Sequence, residues 1–353
     1  MRAVSLVEAE SLEVIEMPAP EPEAGEVLLR VSACGICGSD LSSYKRGLFL
    51  GVPGHEVAGV VEAVGTGVDG WRPGDAAVLK PSGGCGECDQ CEAGDYHRCI
   101  ESLTGSGTTR PGGYAELMAA RADRLLRLPD GLAPEVACLA EPLSVAIHGI
   151  RRVGLKAGQE AIVLGLGSIG LLSVAGLLWL GAGRVYGVDP VDVRRELALG
   201  LGAEAVFARS SGARAAVDGA PVVLECSGRP EAIQQALDLA LPGGRVVLLG
   251  IAVAEISLVP VFWITREITV TGSINSQFGD FEEALRLLAA RPEVGSIVTT
   301  RIGLAQVPAT FLELLHPAGL GKVVIRAVCR PDAPLRVATD REVDHSRRIP
   351  HIG

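Results

Sequence analysis

Hydrophobic and polar positions change rhythm along this chain. Gly25–Ser32 (GEVLLRVS) alternates with the two-residue period of a half-buried strand. Glu56–Val64 (EVAGVVEAV) is a second run, rich in β-branched residues and closed by Gly65. Val78 and Leu79 end a third before Pro81. Short strands punctuated by Gly and Pro predict a β-rich, barrel-like first region. The middle then alternates short apolar runs (Ala161–Leu164, Val185–Val188, Val222–Glu225, Val246–Leu249) with helical patterns (Ile169–Leu180, Val193–Leu199, Pro230–Leu239). That is βαβ alternation, the signature of a parallel doubly wound sheet. Ile268–Gly272 reads as its last strand and Phe281–Ala290 as a helix. Lys322–Ile325 reads as a strand returning to the first region.

One apolar run needs separate treatment. Ala161 to Gly183 carries no charge and is long enough to cross a bilayer. Its glycines are placed as a phosphate loop needs them, so a buried strand leading into a buried helix accounts for it better. Residues Met1–Pro18 carry Glu8, Glu10, Glu13 and Glu16 and no apolar core, so they do not read as a signal peptide. The 353 residues suffice for two domains, and no internal repeat interrupts them. A net charge of −10 without a basic block argues against nucleic acid as a partner. Nine cysteines without a leader predict a cytoplasmic protein whose thiols bind metal rather than pair. Pro331–Gly353, with four acids and four arginines, is expected to be a separate tail, disordered or ordered at a subunit contact.

The densest chemical signal is a comb of cysteines. Cys85, Cys88, Cys91 and Cys99 form C-x2-C-x2-C-x7-C on a Gly-rich loop. Four thiolates fill a tetrahedral zinc site and leave no seat for substrate, so the site is structural and should hold together a lobe at about residues 81–100. The last spacing differs from that of common iron–sulfur motifs.

A second set is scattered. Cys37 lies in CGICGSD, and His55 and Glu56 lie in PGHE just before a strand. Singly, each has an ordinary reading as a core thiol or a satisfied polar group. Together, CGICGSD, GHEVAGVVEAVG, the comb, AEPLSVAIH and GLGSIG occur in the order found in zinc-containing medium-chain dehydrogenases, which the chain resembles over roughly residues 1–328. The resemblance is strongest to the sorbitol, threonine and butanediol dehydrogenase branch. It implies a GroES-like β-rich catalytic domain (1–143 and 276–330) around a Rossmann domain (144–275), with the active cleft between them. It implies that Cys37 and His55 bind a catalytic zinc and that a carboxylate, Glu56 or Glu141, completes the site. Cys34 is expected to be structural.

That chemistry suits the residue types. Zinc with an open position accepts the substrate oxygen and lowers the hydroxyl pKa from about 16 toward neutrality, giving a zinc-bound alkoxide that can expel hydride. One thiolate, one imidazole and one carboxylate leave the site nearly neutral. The resemblance implies that Ser39 contacts the alcohol and starts a proton relay. Relatives often carry a histidine five residues after the metal cysteine; Ser42 stands there in this chain, so either Ser42 and ordered water pass the proton on or another group does. Asp40 is expected to order the loop. The loops Tyr44–Val52 and Ser273–Phe278 are expected to wall the pocket.

Val163–Gly170 (VLGLGSIG) follows an apolar strand and opens a helix, and Asp189 lies nineteen residues beyond Gly170. This is the dinucleotide fingerprint in its proper context. Gly165 makes the turn, Gly167 admits the pyrophosphate and Gly170 lets helix and strand pack, with Ser168 and Ile169 opening the helix. Asp189 should bind the adenosine ribose and repel a 2′-phosphate, which favours NAD over NADP. Arg194 and Arg195 complicate this, since they could hold a phosphate, and Arg194 counts among the cofactor-binding candidates; an exposed helix face is the more expected place for both. Gly250 and Ile251, with Ser273, Ile274 and Asn275, match stretches that flank the nicotinamide in the resembled family. Lys322 is expected either to reach the pyrophosphate or to be solvated.

The expectation is therefore an NAD-dependent zinc alcohol dehydrogenase acting on a polyol, cyclitol or similar secondary alcohol and its ketone. It carries one catalytic and one structural zinc, spans no membrane, and forms a homo-oligomer, as a dimer or tetramer. Two rivals are a zinc-free quinone or enoyl reductase and a non-catalytic NAD-binding regulator that retains zinc. Intact Cys37, Ser39 and His55 speak against both, and zinc content discriminates: two per chain against one or none.

Overall fold

The computed structural model describes residues 1–99, 107, 110–316 and 320–327. The expected tail at 331–353 lies outside the described residues. The chain opens with an antiparallel hairpin, β1 (Arg2–Glu8) and β2 (Ser11–Glu16). It continues through β3 (Glu26–Gly35), helix α1 (Gly38–Arg46), β4 (Glu56–Val64) and β5 (Ala76–Leu79). The short helix α2 (Asp89–Glu92) sits inside the cysteine comb. After it come β6 (Leu117–Arg121), β7 (Leu125–Arg127), α3 (Pro134–Ala137) and α4 (Ala140–Val153).

The second half alternates, as its apolar rhythm requires. Its elements are β8 (Ala161–Leu164), α5 (Ser168–Trp179), β9 (Val185–Val188), α6 (Asp192–Gly200), β10 (Ala205–Phe207), α7 (Ser210–Val217), β11 (Ala220–Glu225), α8 (Pro230–Leu239), β12 (Ala240–Leu248), α9 (Pro260–Thr265) and β13 (Thr269–Gly272). Helix α10 (Phe278–Ala290), β14 (Val298–Ile302), α11 (Val307–Leu314) and β15 (Lys322–Ile325) complete the described chain.

Two sheets result. Six strands pair in parallel in the order β10-β9-β8-β11-β12-β13. The order reverses between β8 and β11, which opens a crevice at their carboxyl ends. Seven strands form the other sheet, in the order β14-β15-β3-β4-β5-β7 with β6 also on β3. β15 pairs antiparallel with β3, so the last described strand closes the sheet begun near the N-terminus.

β8 is buried along its whole length, and α5 is apolar on nearly every face. The uncharged run Ala161–Gly183 is thus a central strand and a covered helix. Among the described residues, no helix is long and apolar enough to cross a membrane. α4 and α10 pack with α5 over one face of the parallel sheet. Their core also takes Ala33, Ala58 and Val78 from the other sheet, which ties the two together. Sequence periodicity missed α4, in which Pro142, Ser144, His148 and Gly149 are buried beside the apolar residues, and missed the N-terminal hairpin.

Candidate active site and metal centres

Cys37 is the N-cap of α1, and its N–H donates to Asp40 Oδ2 at 2.9 Å. The pairing of β3 with β4 brings His55 and Glu56 to the same place, because Gly35 stands opposite Glu56. The ligand atoms of Cys37, His55 and Glu56 lie within 4.8 Å of one another. Zinc bound by N, O and S ligands has tetrahedral edges of roughly 3.3–3.8 Å, so this cluster can close on an ion with small side-chain adjustments.

The surroundings favour positive charge. His55 Nδ1 lies 3.4 Å from Asp40 Oδ1, although it is not aligned for a hydrogen bond. Burial works to lower the His55 pKa, but Asp40 and Cys37 overrule it and raise the value well above its ordinary one. Glu141 opens α4, and its carboxyl is pushed up to about 7. Burial is the main cause and Glu56 adds to it, against His55, Lys322 and Lys80. Asp40 is itself buried and accepts the Tyr114 hydroxyl at 2.7 Å. A site crowded with buried acids is one that a divalent cation would relieve.

Glu56 is fully buried, and the same is nearly true of Lys322. Lys322 Nζ lies 2.6 Å from Glu56 Oε1, 2.5 Å from Oε2 and 2.8 Å from the Ile36 carbonyl. Lys322 is therefore not solvated, and its ammonium is engaged with Glu56 rather than extended toward a pyrophosphate. Gly35 makes room for the pair: a β-carbon there would sit 1.9 Å from Glu56 Oε2 and 2.8 Å from Lys322 Cε. Ser39 and Ser42 are half-buried and, three residues apart on α1, share a face. Cys34 is fully buried, as expected of a structural thiol.

The comb is self-contained. The four sulfurs of Cys85, Cys88, Cys91 and Cys99 lie within 4.8 Å of one another. Cys85 Sγ is 4.0 Å from Cys91 Sγ and 3.6 Å from Cys99 Sγ, and these values bracket the edge of about 3.8 Å of a tetrahedron with Zn–S near 2.3 Å. The Glu87 N–H points at Cys85 Sγ from 3.4 Å. Gly84 has φ +69°, and a β-carbon on it would meet Cys91 Sγ at 2.6 Å, so the loop can wrap the sulfurs only with glycine there.

The Gly-rich loop follows β8. Gly165 has φ +84°, and a β-carbon on Gly170 would sit 1.8 Å from the Gly165 carbonyl oxygen. Gly167 caps α5 and has open space where its β-carbon would be. A cleft of about 470 Å³ lies over the crevice between β8 and β11, lined by Gly165, Gly167, Asp189, Arg194, Arg209 and Ser227 among others. Asp189 ends the β9 segment, is buried, and accepts the N–H groups of Leu166 at 2.8 Å and Val191 at 2.9 Å. Arg194 Nη1 is 3.7 Å from Asp189 Oδ2, and Arg195 donates to the Asp189 carbonyl. The exposed face expected for these arginines is thus corrected: both turn inward onto the acid that ends the strand.

Gly250 and Ile251 follow β12. The Gly250 N–H bonds the Glu225 carbonyl at 2.9 Å, and Ile251 is exposed. Ser273 and Ile274 follow β13, and Asn275 takes a left-handed conformation with φ 55°. Sequence reasoning missed the contact of Asp40 with His55, Tyr114 as partner of Asp40, and the Glu225 carboxylate that gathers the Ser227 and Gly228 N–H groups. A capping signature, Cys37-x-x-Asp40, could have flagged Asp40. Tyr114 is 74 residues away from it and gives no local signal.

The comparisons agree with this fold. Residues 23–130 match the alcohol dehydrogenase GroES-like domain and 168–290 match the zinc-binding dehydrogenase family. The chain is 36% identical to 2-dehydro-3-deoxy-L-galactonate 5-dehydrogenase of Pseudoalteromonas atlantica, over 92% of this chain and 98% of that one. Sorbitol dehydrogenase of Bacillus subtilis is 32% identical, over 77% and 81% of the two chains. A structure from Sinorhizobium meliloti 1021, described as a zinc-binding dehydrogenase bound to NADP, superposes with a TM-score of 0.85 at 31% identity, covering 92% and 99%.

Proposed function

Because this chain belongs to the zinc-containing medium-chain alcohol and polyol dehydrogenases, we propose that it oxidises a polyol, cyclitol or related secondary alcohol with NAD, using one catalytic and one structural zinc. The observation that carries this reading is the clustering of Cys37, His55 and Glu56 in a chain that also carries the Gly165–Gly170 loop over its strand-order reversal.

Cys37 and His55 would hold the catalytic ion, with Glu56 or Glu141 as the carboxylate. The Lys322 pair draws Glu56 away from full commitment, which favours an exchange between the two acids. Bound zinc supplies Lewis acidity that lowers the alcohol's pKa. Asp40 holds a negative charge 3.4 Å from the His55 ring nitrogen and favours a positive charge there. Ser39 takes the alcohol's proton and Ser42, on the same helix face, passes it outward. The Gly loop and the amino end of α5 seat the pyrophosphate. The acid at Asp189 supports NAD, since a carboxylate there accepts ribose hydroxyls and repels a 2′-phosphate. Cys85, Cys88, Cys91 and Cys99 would hold the structural zinc.

Two further features support an oligomer. β13 is an edge strand, and Val259, Val261, Phe262 and Ile264 beside it are more than half exposed. Thiolate clusters of this kind suit a reducing, cytoplasmic setting.

Substrate-dependent NADH absorbance over a panel of sorbitol, butanediol, threonine and an aminocyclitol tests the reading. Turnover that follows zinc content supports it, and full turnover in a zinc-free preparation contradicts it. A higher catalytic efficiency with NADP than with NAD would overturn the cofactor assignment alone.

A further inference from the structure

We propose that the four-cysteine lobe does more than stabilise its own loop: it braces the nicotinamide end of the cofactor cleft, with Tyr96 and His97 as positioning residues. The proposal rests on the reading that Ser273–Asn275 flank the nicotinamide.

The brace is a 3-10 turn, Tyr96–Arg98, that lies inside the comb between Cys91 and Cys99. It docks on the segment joining β13 to α10. Asn275 Nδ2 donates to the His97 carbonyl at 3.0 Å, and Gln277 Nε2 lies 3.4 Å from His97 Nδ1. The Phe278 N–H donates to the Tyr96 hydroxyl, and the two rings pack with centroids 5.7 Å apart. Lys80, at the entry to the comb, lies between these partners. Its Nζ is 5.5 Å from the Tyr96 ring centre and 5.2 Å from that of Phe278, and it donates to the Ser82 carbonyl at 2.8 Å.

A second line of contacts runs behind the first. The His97 ring meets the His148 ring at 4.5 Å, and His148 Nδ1 lies 2.8 Å from Asp280 Oδ2. The same Asp280 oxygen accepts the Gln277 N–H and so caps α10. The turn is therefore held at three successive points by atoms of the lobe, at Asn275, Gln277 and Phe278.

The conformation being held is an uncommon one. Asn275 has φ 55°, a left-handed backbone that asparagine tolerates better than most non-glycine residues. Ser273 Oγ, two residues earlier, is enclosed and has no hydrogen-bond partner among the described residues. An enclosed hydroxyl without a protein partner calls for an explanation, and Ser273 lies beside a cavity lined by His97, Gly272 and Ile274 that a polar group can enter. The carboxamide of a nicotinamide has that chemistry; the adenosine half of the cofactor does not touch this turn in the proposed seating.

The test uses the zinc-loaded, full-length protein. Dissociation constants for NADH and for ADP-ribose are measured in the wild type, in Tyr96→Phe and in Asn275→Gly. Tyr96→Phe keeps the ring and removes the oxygen that accepts the Phe278 N–H. Asn275→Gly keeps the left-handed backbone accessible and removes the amide on His97. Each should weaken NADH by about fivefold, the loss of one hydrogen bond. ADP-ribose affinity and zinc content per chain should stay unchanged. Unchanged NADH affinity, or an equal loss for both ligands, would overturn the brace. A wild-type protein that binds ADP-ribose and NADH with the same affinity would overturn the placement of Ser273–Asn275 on which it rests.

Discussion

The two cysteine sites differ in how much of the chain each needs. Cys85, Cys88, Cys91 and Cys99 come from fifteen consecutive residues, and the glycines between them make the turns. Cys37 comes from a helix cap, and His55 and Glu56 from the start of a strand; Asp40 shares the helix of Cys37, while Tyr114, Glu141 and Lys322 come from three further places in the fold. The comb is partly exposed, whereas His55 and Glu56 are buried. A local site can be assembled by its metal alone. The scattered cluster forms only once β3 and β4 have paired, and its partner Lys322 arrives when β15 joins β3. Its buried charges are then balanced by partners rather than by solvent, which suits a site that must hold an ion and leave a position open.

The sharpest way to break this comparison is to remove one ligand from each site. Cys37→Ala should lower turnover by about four orders of magnitude, on the order of 5 kcal/mol of barrier, while the comb keeps its zinc. Steady-state kinetics and metal analysis on the same sample check it. Lys322→Met leaves Glu56 buried without its cation and should cost about 3–5 kcal/mol of stability, read from denaturant unfolding. Cys88→Ser should release the comb's zinc and lower the melting temperature, yet retain more turnover than Cys37→Ala. If the two variants lose turnover equally, the division of labour between the sites fails.

Smaller effects sharpen the account of how the cluster is packed. Gly35→Ala places a β-carbon 1.9 Å from Glu56 Oε2, so the buried ion pair must shift; overpacking of this kind costs about 1–3 kcal/mol. Asp280→Asn should cost about 1–2 kcal/mol at neutral pH by weakening its bonds to His148, Arg151 and the Gln277 N–H. Burial works to raise the Asp280 pKa, but those partners hold it below 3.8. A folded-state value below the unfolded one means that this stability is complete above pH 3.8 and is lost as pH falls through the folded value. The variant should therefore show a shallower acid limb in stability against pH than the wild type.

Much of this was legible in the sequence because it is written locally. The strands Glu56–Val64, Ala161–Leu164, Val185–Val188 and Lys322–Ile325 and the helix Pro230–Leu239 stand where the apolar rhythm puts them. The comb and the Gly loop were readable for the same reason, since spacing and glycine placement are properties of a few adjacent residues. What was not legible depends on pairing across long distances. Lys322 looks like a surface lysine until β15 pairs with β3 and Gly35 leaves space for it. Arg194 and Arg195 look like one polar helix face until the turn after β9 brings them back onto Asp189. α4 was hidden because Pro142, Ser144, His148 and Gly149 break up its apolar pattern in the sequence, although all four are buried in the fold.

The central claim is that zinc at the scattered site, not at the comb, supports the chemistry. Zinc per chain and substrate-dependent NADH formation, measured together in the wild type and in Cys37→Ala, test it most directly. The account predicts two zincs and turnover in the wild type, and one zinc with turnover abolished in the variant. A Cys37→Ala protein that holds one zinc and still turns over at the wild-type rate would contradict it.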